Sequence, residues 1–187
     1  MSVHSVLVNA TQPASDGGSP ITSYTATAVN TTFPVAPVTS PTLPITVDGL
    51  QDGYQYEVTV HATNVIGVSP ESAPPTTYLY VVPPDPVINV NLVIPQGNAG
   101  NIVQSIINFD NPAFTGGAPI TSYNVSFEDV GGNITPQTST VTATNSPLYV
   151  DFTIPSTTVD YQVSISPVNS AGAGISALSS PFTVVPL

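Results

Sequence analysis

One eight-residue run occurs twice, 99 residues apart: Gly17-Gly18-Ser19-Pro20-Ile21-Thr22-Ser23-Tyr24 and Gly116-Gly117-Ala118-Pro119-Ile120-Thr121-Ser122-Tyr123. A second pair follows at a spacing of 105: Tyr56-Glu57-Val58-Thr59-Val60-His61-Ala62-Thr63-Asn64 with Gly67, and Tyr161-Gln162-Val163-Ser164-Ile165-Ser166-Pro167-Val168-Asn169 with Gly172. The six residues by which the spacings differ are a loop insertion in the second copy. A repeat of this length in 187 residues means two copies of one small domain. The boundary is set by Pro83-Pro84-Asp85-Pro86, where proline fixes φ and restricts the residue before it. Residues 1–83 are therefore expected to form the first domain and 84–187 the second, with a short stiff joint between them.

Within each copy the apolar residues alternate with period two, in short runs separated by Pro, Gly, Asn and Ser. That is the pattern of half-buried antiparallel strands, and no helical period competes with it. Strands are expected near 4–10, 21–29, 43–48, 54–63 and 76–82 in the first copy. In the second they are expected near 86–94, 102–109, 120–128, 138–143, 148–154, 160–168 and 181–185. The fold class is all-β, a pair of β-sandwiches.

These motifs resemble the fibronectin type III family, over nearly the whole chain. Its members commonly carry a glycine-rich turn before Pro-Ile-Thr-Ser-Tyr at the start of the third strand. Their sixth strand is preceded by a leucine and continues through a tyrosine, alternating apolar residues, and an Asn with Gly three residues on. Leu50, Tyr56, Val58, Val60, Ala62, Asn64 and Gly67 fit that pattern, and Tyr161, Val163, Ile165, Asn169 and Gly172 repeat it with Pro155 in place of the leucine. The resemblance implies two tandem fibronectin type III-like sandwiches, with Tyr56 and Tyr161 as structural tyrosine corners. Where the family places a core tryptophan, this chain has Ala10 and Phe109. With Ala26, Ala28 and Ala62 also at inward positions, the first domain is expected to have the emptier core.

A first strand is evident in the second domain, Pro86 to Ile94, but its counterpart in the first would lie upstream of Met1. By the family's strand order, Ser5, Val6, Leu7, Val8, Asn9 and Ala10 then form an open sheet edge, a candidate site for strand addition. Three readings follow: the piece was cut there, residues near Met1 stand in for the strand, or a neighbouring subunit completes the sheet. With Leu187 so close behind the last expected strand, no length remains there to serve as a donated strand.

The composition narrows function. There is no Lys or Arg, and the eleven Asp and Glu give a net charge of -11. Charged residues are 6% of the chain, against about 25% in ordinary soluble domains. A nucleic acid or an anionic membrane would be repelled, and phosphate-handling enzymes lose both their lysine and their arginine. Trypsin-like proteases find no site, which suits an extracellular or cell-surface setting, virion surfaces included. Without Cys there is neither a disulfide framework nor a thiolate metal site. Met1 to Ser5 lacks a basic run before an apolar one, so no secretory signal is expected in this stretch, and no run is long enough to span a bilayer.

Candidate chemistry is sparse. Only His4 and His61 could act as a general base, and nothing nearby supplies the other parts of a triad. Asp48 to Gly53 lacks the oxygen spacing of a calcium loop, and Glu128-Asp129 before Gly131-Gly132 reads as a solvated turn. No catalytic residue, cofactor or metal site is assigned. The reading is a non-enzymatic structural subunit or stalk of an extracellular, cell-surface or virion-associated fibre, whose partners are further copies of itself or neighbouring β-domains. The alternative is an adhesive or carbohydrate-binding accessory fragment of a larger secreted protein.

Overall fold

The alternation of apolar and polar residues becomes fifteen strands and no helix among the described residues, 3–142 and 145–187, of the computed structural model. The chain divides into two units, Met1–Val81 and Val82–Leu187. The division falls two residues earlier than the proline run suggests because Val82 is tied into the second unit. Its N–H donates to the Gly116 carbonyl at 3.0 Å, and its carbonyl accepts from the Asn169 side chain at 2.7 Å.

In the first unit, β1 (Val3–Val8) pairs antiparallel with β4 (Ile45–Gln51) as a two-stranded sheet. Facing it is the four-stranded sheet β3-β2-β5-β6, made of β2 (Ser23–Val29), β3 (Val38–Ser40), β5 (Gln55–Thr63) and β6 (Thr76–Leu79). Alternate residues meet between them: Tyr24, Ala26 and Ala28 of β2, Ile45, Val47 and Leu50 of β4, and Tyr56 and Val58 of β5 are all buried. Two of these are alanines, so the core is shallow, as the composition of the inward positions implies.

The second unit repeats the plan with an added outer strand, β7 (Ile88–Val93), and with its last strand line broken into three pieces. β7, β8 (Ile102–Asp110) and β11 (Leu148–Thr153) form a sheet in the order β11-β8-β7. The opposite sheet is β10 (Gln137–Val141), β9 (Ser122–Asp129) and β12 (Val159–Asn169). On the far side of β12 lie three short pieces, β13 (Gly172–Ala173), β14 (Ala177–Leu178) and β15 (Phe182–Val184). Aromatic rings fill this core: Phe127, Phe152 and Tyr161 pack in sequence, with centroids 4.8 and 5.2 Å apart. At the two positions where the family has tryptophan, Phe109 is buried and Ala10 is exposed.

Three pieces were not expected from the sequence: β3, β13 and β14. The first lies in a Pro-, Ser- and Thr-rich run that reads as loop, and the other two are two-residue pairings within a strand line broken by Gly174 and Pro181. Residue 143, at the end of one expected strand, lies outside the described residues, as do Met1 and Ser2.

A candidate strand-addition edge

β1 has the sequence Val-His-Ser-Val-Leu-Val, and its even-numbered residues His4, Val6 and Val8 turn inward. The pairing to β4 runs Val8↔Ile45, Leu7↔Thr46 and Val6↔Val47, then resumes at His4↔Leu50. The extra residue sits on β4, where Gly49 takes φ 82° to make the bulge. The strand covers Ser5, Val6, Leu7 and Val8 of the expected edge. Asn9 and Ala10 have already left it and are exposed.

No strand lies on the other side of β1 among the described residues. The second unit shows what such a strand does. There β8 is paired on both sides, with β11 through Leu148↔Ile107 and with β7 through Leu92↔Ile107. Val87 is fully buried at the start of this segment, and Val90, Leu92 and Ile94 pack against the core. In the first unit the same place is a groove of about 780 Å³, lined by Val6 and Val8 of β1, Val58 and Val60 of β5, Pro74 and Tyr78. The burial follows. Ile107 and Ser105 of β8 are fully covered, whereas Val8 and Val6, 99 positions earlier, are half-buried.

The start of β1 is clamped. His4 Nδ1 lies 2.5 Å from Asp52 Oδ1, and both side chains are largely buried. The imidazole packs on Tyr78 and Tyr80, with centroids 5.4 and 4.7 Å away. These two tyrosines therefore cover a histidine, and Tyr80 stays half exposed. His4 Nε2 is buried and has no partner among the described residues. His61, at the rim, pairs with Glu71 at 2.8 Å, and the bond from His61 holds that carboxyl below its ordinary value against the opposing effect of burial. Each of the two histidines thus meets a carboxylate. Neither partner was legible beforehand, since Asp52 lies 48 residues from His4.

The tyrosine corners differ. The Tyr56 hydroxyl accepts from Gln51 N–H at 3.0 Å and donates to the Phe33 carbonyl at 3.2 Å, tying the end of β4 to the β2–β3 connection. Tyr161 is equally buried but meets the Gln137 side chain. Gln137 then bridges Thr153, accepting from its N–H at 2.8 Å and donating to its carbonyl at 3.0 Å. Burial raises the Tyr161 phenol above the usual tyrosine value. Glu128-Asp129 is a self-capped turn: Asp129 accepts backbone N–H bonds from Gly131, Asn133 and Ile134, and these bonds lower its carboxyl.

The groove residues of β5 and β6 were missed by the sequence reading, which singled out the edge and not the opposite wall. Their signal was present in the alternation Tyr56, Val58, Val60. It pointed inward without saying that nothing would lie above.

Residues 2–78 match the family model described as the fibronectin type III domain. Among solved structures, the chain is similar to the chicken CNTN1 FN1-FN3 domains, at 15% identity and a TM-score of 0.43. That match covers 88% of this chain and 55% of the other, so the chain spans little more than half its length. The match identifies the first unit, over residues 2–78, as a fibronectin type III domain.

Proposed function

We propose that the chain is a structural subunit or stalk of an extracellular, cell-surface or virion-associated fibre, without enzymatic activity, in which the open side of β1 takes a strand from a neighbouring β-domain. Fibronectin type III domains are in general structural and adhesive modules, and the specific role lies in what each one presents. The observation that carries the reading is the contrast between β1 and β8: one sequence plan, with the outer strand in place in one unit and a groove of about 780 Å³ in the other. An apolar groove beside a row of open backbone groups is a template for β-augmentation. The absence of Lys and Arg supports a protease-exposed setting.

The test is electron microscopy of the full chain with mass from light scattering, at neutral and mildly acidic pH and with added salt. Ordered fibres are expected, favoured by acid and salt because protonation and screening weaken repulsion among subunits of charge -11. A stable monomer at high concentration would overturn the proposal.

A further inference from the structure

The Gly-Gly turn and the asparagine beyond the long strand build the same cradle in both units. Gly17 and Gly18 take φ 74° and 90°, and Gly116 and Gly117 take 77° and 86°. Behind them Asn64 Nδ2 donates to the Asp16 carbonyl at 2.6 Å, as Asn169 Nδ2 does to the Thr115 carbonyl at 2.8 Å.

In the second unit the cradle is full. Val82 donates to the Gly116 carbonyl, the Val82 carbonyl takes the second amide hydrogen of Asn169, and Asp85 N–H donates to the Phe114 carbonyl at 3.0 Å. A Cβ on Gly116 would stand 1.9 Å from the Val82 oxygen, so this glycine is required by the occupant as well as by its φ. In the first unit nothing described covers it. The nearest atom to a Cβ on Gly17 would be Asn64 Nδ2 itself, at 3.8 Å. Gly17 is exposed where Gly116 is buried, and the second hydrogen of Asn64 reaches only the Ser19 carbonyl, at 3.2 Å. A cavity of about 390 Å³ opens there, lined by Pro13, Ile21, Asn64, Ile66 and Val68 among others.

We propose that this cradle binds the segment Val185–Leu187 of a second copy of the chain. What fills the cradle in the second unit is Val82, the middle residue of the run Val81-Val82-Pro83 that follows β6. The same run recurs as Val184-Val185-Pro186, ending β15 and running past it, with Val185 and Leu187 61% and 73% exposed. Val185 takes the place of Val82, its N–H on the Gly17 carbonyl and its carbonyl on the Asn64 amide. The wall of the cavity is adapted to this guest. Ile66 and Val68, both exposed, stand where the second unit has Ala171 and Ala173, and they offer Val185 and Leu187 an apolar surface. Beyond Pro186 the paths separate, because Ser69 replaces Gly174, where a Cβ would meet the Pro84 carbonyl at 2.1 Å. Val184 stays in the second unit's core, paired with Val159; past it the tether is one bond from Leu187 N–H to the Gly97 carbonyl at 3.1 Å. The two surfaces differ, so the contact is heterologous and repeats from copy to copy. The inference rests on the fibre reading and names one of its contacts.

The experiment is amide NMR of the full chain across a dilution series up to about 1 mM, where weak contacts register. Expected are concentration-dependent shifts of Asp16–Gly18 and Ile66–Ser69 together with Thr183–Val185 and Leu187. In Val185→Asp, an exposed substitution, the self-affinity should fall at least about tenfold. Fixed cradle amides, or shifts unchanged in the variant, would overturn the contact. If Val3–Val8 respond while the cradle stays fixed, the fibre reading survives without this contact. If neither group responds, both fall.

Discussion

Replacing Tyr56 by Phe removes one oxygen from a fully buried ring and leaves its packing untouched. The hydroxyl makes two bonds, from Gln51 N–H and to the Phe33 carbonyl, so two backbone groups lose their partner at once. A neutral hydrogen bond contributes about 0.5–1.5 kcal/mol net, and a buried group left without one costs about 1–3 kcal/mol. Both backbone groups lie on half-buried residues where water can partly substitute, so the lower part of that range applies and the loss is about 2–3 kcal/mol. For a unit the size of Met1–Val81, each kcal/mol moves the midpoint by about 4–8 °C, giving a fall of about 10–20 °C. Tyr161→Phe is the internal control. It loses one bond to a Gln137 side chain that keeps both its bonds to Thr153, and should cost about 1 kcal/mol or less. Calorimetry of the full chain measures both variants. Hydrogen exchange by mass spectrometry assigns each transition, with β1 and β4 reporting one unit and β8 and β11 the other. Equal losses in the two variants would refute the claim that the corner bonds, rather than ring burial, distinguish these tyrosines.

Glu71 and Asp129 both have carboxyls held below their ordinary values, the first chiefly by the bond from His61 and the second by backbone N–H bonds from its own turn. The unfolded chain binds these protons at higher pH than the folded one. Their contribution is therefore complete above the ordinary carboxylate range near pH 4 and drains away as pH falls through the depressed values; urea midpoints measured from pH 7 to 3 should decline only at the acid end. Gly116→Ala sets a Cβ against the Val82 carbonyl at a left-handed φ and should cost about 3 kcal/mol, whereas Gly18→Ala, at φ 90° with open space around it, should cost about 1–2 kcal/mol in urea unfolding. His4→Ala removes a hydrogen bond to the Asp52 carboxylate and should destabilise the first unit by about 2 kcal/mol, with β1 amides exchanging faster than those of β5.

The sequence carried the sandwich plan because period-two alternation and the repeated turn are local signals, written within a few residues of the strands they specify. The strand centres at Tyr24–Ala28, Tyr56–Val60 and Tyr123–Phe127 follow from that pattern. β3 did not show, since three residues among prolines owe their strand state to pairing with Thr25 and its neighbours rather than to their own preference. The candidate site was half legible. The candidate edge at Ser5 to Ala10 followed from the expected strand order, but the His4–Asp52 clamp and the Gly17 cradle are meetings of residues 47 or more apart, and only the folded second unit shows what such a cradle holds.

An open edge is a hazard unless something limits who may pair with it, and the first unit has three such limits. The strand is six residues long, and the bulge at Gly49 interrupts its ladder to β4, leaving Val6 to Val8 as its longest run of regular pairing. His4 is drawn onto Asp52, Tyr78 and Tyr80, so the start of β1 is committed inward. Like charge is the third. With no Lys or Arg anywhere, no pair of surfaces on two copies can attract through an ordinary salt bridge, and random encounters are repulsive. On the proposed reading a partner would be recognised by backbone hydrogen bonds and apolar side chains in register, the means by which β7 covers β8. A fibre built this way would gain from screening and from acid and would tolerate proteases that cut at cations. The two properties share one cause, the absence of positive charge.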